Sequence, residues 1–167
     1  MLSSSLQSTM ISFVEGSLFS TNSDFSLAQC ISSDAQYGMF RGISVQFLDH
    51  FPELIVLREM GEIALGAAIP VNVEGRFVYN LVTKIRYWSK PVPYNLFMTL
   101  KAMKSHASEY SVKNIAIPFL GSGLDKLNFF EVVFPLVREV FENTNIDIHV
   151  YCPKSFSSMN ERLVIFI

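Results

Sequence analysis

The stretch Asn114-Ile-Ala-Ile-Pro-Phe-Leu-Gly-Ser-Gly-Leu-Asp125 decides how the rest of the chain is read. Its first half is a continuous apolar run with the look of a buried strand, expected over 114–120. The run ends in a Gly-x-Gly turn, Gly121-Ser122-Gly123, and a helix pattern comes next. Asn128 is placed to cap that helix, and Val132, Val133, Leu136, Val140 and Phe141 supply its apolar face. A buried strand feeding a glycine turn and then a helix is the unit of an α/β sheet, in which ligands gather at the carboxyl ends of strands.

Working outward, the same alternation of elements recurs. Met10-Ile-Ser-Phe-Val-Glu15 and Ser26-Leu-Ala-Gln-Cys-Ile-Ser32 read as strands, and Ile146-Asp-Ile-His-Val-Tyr151 as another. Apolar residues at 43, 47, 48 and 51 have helical spacing, and so do Leu96, Leu100, Met103, Ala107 and Tyr110 behind Pro93. The apolar runs from Ile63 to Val71 and from Phe77 to Thr83 are joined through Glu74-Gly75, which predicts a hairpin and therefore a mixed sheet. The expected architecture is a three-layer α/β/α fold with a mixed, mostly parallel central sheet. Residues 1–9 read as a flexible terminus and 10–152 as the domain. The extension 153–167 ends in an apolar tail expected to add a strand or to meet a partner.

Composition bounds the function. The chain has 167 residues, half of them hydrophobic, two cysteines and a formal net charge of −2. That length predicts one domain, and Cys30 and Cys152 are too few for a disulfide scaffold. No basic field advertises nucleic acid, no apolar run is long enough for a spanning helix, and no signal peptide is evident. A soluble monomer in the nucleus or cytoplasm is expected.

Three places could carry chemistry. Gly121, Ser122 and Gly123 could cradle an anion through backbone N–H groups, or form a plain turn. Asp125 behind them is either a structural carboxylate or an acid/base group. Lys84, ending the run Val78-Tyr-Asn-Leu-Val-Thr-Lys84, is either a solvated charge or an amine poised as a nucleophile. The loop from Ile31 to Ser44, with Gly38 and Gly42, is a second possible anion cradle or an ordinary connection. His50, His106 and His149 are too scattered to suggest metal ligation.

Taken together, five stretches resemble the macrodomain family, in particular the terminal ADP-ribose protein glycohydrolase type. They are Ile11-Ser-Phe-Val-Glu-Gly-Ser-Leu-Phe19, Leu27-Ala-Gln-Cys-Ile-Ser-Ser-Asp34, Tyr79-Asn-Leu-Val-Thr-Lys84, Leu100-Lys-Ala-Met-Lys-Ser-His106 and Ile117-Pro-Phe-Leu-Gly-Ser-Gly-Leu-Asp125. The resemblance implies binding of ADP-ribose, or of an ADP-ribosylated protein, and hydrolysis of ADP-ribose from acidic side chains. O-acetyl-ADP-ribose is a further implied substrate, and no cofactor or metal is implied. It carries catalysis onto Lys84 and Asp125. It carries ligand contacts onto Gly16, Ser17, Leu18, Ser32, Ser33, Arg41, Gly42, Ile43, Thr83, Leu120, Gly121, Ser122, Gly123 and Leu124. The chain departs from the family pattern at Ser17, where an acidic residue usually meets the adenine, and at Phe40-Arg41-Gly42-Ile43, where a Gly-Ala-Gly-Ile loop is usual. Phe119 and Phe129 also differ from the polar or larger aromatic residues expected along the site.

Overall fold

The computed structural model describes residues 8–35, 42–121, 126–152 and 163–166. Seven strands make one sheet: β1 (Met10–Glu15), β2 (Ser26–Ser32), β3 (Ala68–Val73), β4 (Arg76–Lys84), β5 (Asn114–Ile117), β6 (Asp147–Cys152) and β7 (Leu163–Phe166). Their order is β3-β4-β2-β5-β6-β1-β7. The five inner strands run parallel, while β3 on β4 and β7 on β1 are antiparallel edges. The mixed, mostly parallel sheet is therefore a parallel centre closed by one antiparallel strand on each side.

Helices cover both faces, giving the three-layer α/β/α arrangement. On one face α3 (Pro93–Glu109) and α4 (Phe134–Phe141) bury Leu96, Leu100, Met103, Val137 and Phe141 against Ile11, Tyr79, Leu81, Ile115 and Ile148. On the other, α1 (Ile43–His50) and α2 (Val56–Glu59) bring Phe47 and Leu57 to Leu27, Ile31, Val78, Val82 and Ala116. Alternate residues of β4 thus enter opposite cores, which is why its sequence is a continuous apolar run rather than an alternating one.

Three local devices fix the strand ends. The β3–β4 hairpin turns on Glu74 and Gly75, both with positive φ (51° and 92°), with Val73 opposite Arg76. A two-residue turn of that hand matches the twist of the strands it joins. The strand expected over 63–71 starts only at Ala68, because Gly66, at φ 88°, bends the chain before it. Pro70 is tolerated because β3 is an edge strand. The strand expected over 114–120 stops at Ile117, since Pro118 has no N–H for the ladder, and Leu120 N instead donates to the Pro118 carbonyl at 2.8 Å. Asn128 does act as a helix cap, its Oδ1 accepting from Glu131 N at 3.0 Å. The first turn, Phe129–Val133, is a π-turn that passes into α4.

The tail strand β7 lies along β1 with Met10 opposite Phe166 and Phe13 opposite Leu163. It covers a strand edge that would otherwise present unpaired backbone groups.

Candidate functional site

Because β1, β2, β4, β5 and β6 are parallel, their carboxyl ends emerge on one side of the sheet. A cleft of about 1060 Å³ opens there. Its floor and walls are the residues just past each strand: Gly16 to Phe19 after β1, Ser32 on β2, Lys84 on β4, Pro118 to Gly121 after β5, and Tyr151 and Cys152 on β6. Gly42 and Ile43 close it from the start of α1. Among the described residues lining it are three lysines, Lys84, Lys90 and Lys126, and no acidic side chain. In a chain of net charge −2 this is a local concentration of positive charge, suited to an anionic ligand.

Lys84 is held in place by its own loop. Its Nζ donates to the Tyr87 carbonyl at 2.8 Å, and its carbonyl accepts from Ser33 N at 2.8 Å. The β2–β4 ladder shifts register between Ile31 and Ser32, so that Ser32 lies opposite Lys84. A bulge of this kind re-aims side chains at a strand end. Ser32 consequently lines the cleft, while its buried Oγ has no hydrogen-bond partner. Ser33 and Thr83, expected as ligand contacts, lie outside the cleft wall. Ser33 is occupied in the backbone, its carbonyl accepting from Ile63 N at 3.0 Å, and Thr83 is wholly buried with an unpartnered Oγ1. Unsatisfied buried polar atoms are uncommon enough that their gathering here, with Asp34 Oδ1, marks the end of β2 and β4 as unusual.

Gly121 suits its place as a glycine. Its φ is +70°, and a Cβ there would meet Leu127 Cδ1 at 2.9 Å. Its carbonyl accepts from Leu127 N at 2.7 Å. Ser122, Gly123, Leu124 and Asp125, as well as Arg41, lie outside the described residues.

At the β1 end, Ser17 caps the short turn Leu18–Ser20, with Oγ accepting from Phe19 N at 3.2 Å. Leu18 anchors the turn in the core, and Phe19 stacks on His50 with ring centres 4.2 Å apart. His106 stacks likewise on Tyr110 and His149 on Phe25. All three histidines are thus packed on rings, and no metal cluster of His, Cys, Asp or Glu occurs among the described residues. Burial pushes the Cys152 thiol up to about 11, which leaves it protonated and unreactive at neutral pH.

Of the two aromatic residues expected along the site, Phe119 lines the cleft and stacks on Phe129, which is buried behind it, at 4.7 Å. The structure also adds wall residues that the sequence pattern does not single out. Phe19, Cys30 and Tyr151 join the floor, and Tyr87 to Lys90 form the rim beside Lys84. A signal for the rim does exist: those residues come directly after a strand that ends in a candidate nucleophile.

No family model matches the chain. The ADP-ribose glycohydrolase OARD1 of Homo sapiens is 38% identical over 149 residues, 87% of this chain and 93% of that protein. The macrodomain of Thermus aquaticus DarG superposes with a TM-score of 0.74 at 23% identity, over 84% of this chain and 97% of that one. Thermosipho africanus DarTG, solved in complex with ADP-ribose, superposes with a TM-score of 0.72 at 20% identity, over 87% of this chain and 42% of that one.

Proposed function

Since the chain belongs to the macrodomain family, in its terminal ADP-ribose glycohydrolase branch, we propose that it hydrolyses ADP-ribose from acidic side chains of modified proteins, using Lys84 as nucleophile and Asp125 as acid/base. The observation that carries this reading is the placement of Lys84. It stands at the carboxyl end of a parallel strand, in the wall of a cleft that also takes in Gly121 and the turn after β1. One ligand can therefore meet all three.

The chemistry starts from the ester. The carbon that joins the distal ribose to a glutamate or aspartate carboxylate carries a good leaving group. The neutral amine of Lys84 forms a C–N bond there. The C–O bond breaks, and its electron pair leaves with the acceptor carboxylate. The proton shed by the nitrogen passes to Asp125. Asp125 returns its proton to the nitrogen as the C–N bond breaks, and water bonds to the same carbon, its own proton passing to Asp125 and from there to solvent. The products are ADP-ribose, a restored carboxylate and one proton. Gly121, Ser122 and Gly123 would receive the diphosphate on backbone N–H groups, with Lys126 adding charge from the cleft wall.

The test is release of ADP-ribose from a glutamate-linked mono-ADP-ribosylated peptide. Wild type should release it and Lys84→Ala should not, with circular dichroism unchanged between them. An inert wild type, or a fully active Lys84→Ala, would sink the reading.

A further inference from the structure

We propose that segment 85–94 is the docking surface for the protein that carries the ADP-ribose, and that it recognises an acidic stretch of chain around the modified side chain. This rests on the assignment of Lys84 above and extends it from the nucleotide to its acceptor. If the scissile ester lies at Lys84, the acceptor chain must leave the cleft there and pass over the next residues.

Those residues are unusual for a surface. Ile85 is 56% exposed, Trp88 68%, Val92 53% and Tyr94 66%. One exposed apolar side chain is ordinary, but a group of large ones beside a cleft marks an interaction site. The backbone that presents them is fixed. Ser89 N donates to the Arg86 carbonyl at 2.9 Å, Pro91 is buried, and Pro93 begins α3, all of which Lys84→Ala leaves in place. A surface already ordered loses little entropy when it is covered.

Charge selects the partner. From Gly75 to Ser108 the sequence holds no acidic residue, and Lys84, Arg86 and Lys90 lie in or beside the segment. Arg86 makes an ion pair with Glu62 at 3.3 Å, the side chains being 44% and 74% exposed, and such solvent-exposed pairs contribute little. A chain bearing modified and unmodified carboxylates fits this mixture of cations and apolar rings. Nucleic acid fits it less well. Tight binding to phosphates needs many cations, and here the aliphatic Ile85 and Val92 stand where a backbone-tracking surface would have charge.

Binding to the Lys84→Ala protein, which would not consume its ligand, tests this directly. Calorimetry would compare ADP-ribose with a glutamate-linked ADP-ribosylated peptide rich in Asp and Glu. The peptide should bind about tenfold more tightly, and raised salt should shrink that advantage. Introducing Ile85→Ser with Arg86→Glu, or Tyr94→Ser alone, should erase most of the advantage and leave the affinity for ADP-ribose within about twofold. Equal affinity for the two ligands, or an advantage untouched by both variants, overturns the docking surface while the hydrolase reading stands. An advantage appearing only with an ADP-ribosylated oligonucleotide also overturns it. Wild type that is inert toward the peptide, with the binding advantage intact, removes the hydrolase reading and leaves the surface.

Discussion

The cleft is built in opposite ways at its two ends. At the β1 end Ser17 caps its own turn, Leu18 is buried, and Phe19 is clamped against His50. At the β4 end the wall carries an amine, Lys84, and large apolar side chains stand in solvent past it. A wall tied down by its own packing suits holding a ligand. A wall that presents a strand-end amine suits reacting with one. Under the proposed function, binding falls to the β1 end and chemistry to the β4 end.

Substitutions at the two ends should separate those roles. Lys84→Ala should lower kcat by a factor on the order of 10³ or more, because no other group replaces the nucleophile. Its Kd for ADP-ribose should move only severalfold, as read by calorimetry. If affinity collapses together with turnover, the division of labour is wrong.

Between the ends, Gly121 also lines the cleft. Gly121→Ala should destabilise the fold by about 1–3 kcal/mol, from the left-handed φ and the approach to Leu127 Cδ1. ADP-ribose binding should weaken with it, since the next residues would hold the diphosphate. Denaturant melts and calorimetry on the same preparation would show the two losses together. A stable Gly121→Ala protein with normal affinity would deny the turn its part in binding.

The β1 end should respond more gently. Ser17→Ala removes one capping bond from a short turn, so it should cost about 0.5–1 kcal/mol of stability. ADP-ribose affinity should fall a few-fold while kcat at saturation is unchanged. A fall in kcat at saturating substrate would place Ser17 in the chemistry and break the contrast.

The sequence reveals these ends unequally. The hairpin is legible because Glu74-Gly75 suits a turn with two positive φ angles, and the position of Lys84 comes from counting along the strand after it. The glycine at 121 is legible for the same reason, as a residue that only a special backbone requires. Ser33 and Thr83, carried over from the family resemblance, fall outside the wall because a motif match does not show how two strands pair. The register shift at Ile31 and Ser32 sets Ser32 against Lys84 and leaves Thr83 behind the wall. Such a bulge depends on pairing between distant strands, and neither strand alone encodes it. The rim at Tyr87 to Lys90 is illegible for a different reason: it has no periodicity, and only its place after Lys84 gives it meaning.

The smallest effect tests the packing beneath the β1 end, where Cys152 stands opposite Glu15 and just below Gly16. Burial lifts its thiol from an ordinary 9.0 to about 11, against a smaller lowering by a backbone hydrogen bond from Val14. The unfolded chain then loses this proton near pH 9 while the folded one keeps it. Between these values the unfolded state binds fewer protons, so stability should be full below pH 9 and fall as pH rises toward 11. The Tyr79 hydroxyl, also raised by burial, begins to add to the slope as pH nears its ordinary value of 10.0. The difference between wild type and Cys152→Ala from pH 9 to 10 therefore carries the Cys152 part. Urea melts across it should slope downward for wild type and flatten in Cys152→Ala, whatever that variant's stability at neutral pH. An identical slope in both proteins would mean that water reaches the thiol, and the β1 end would then be looser than its internal bonds imply.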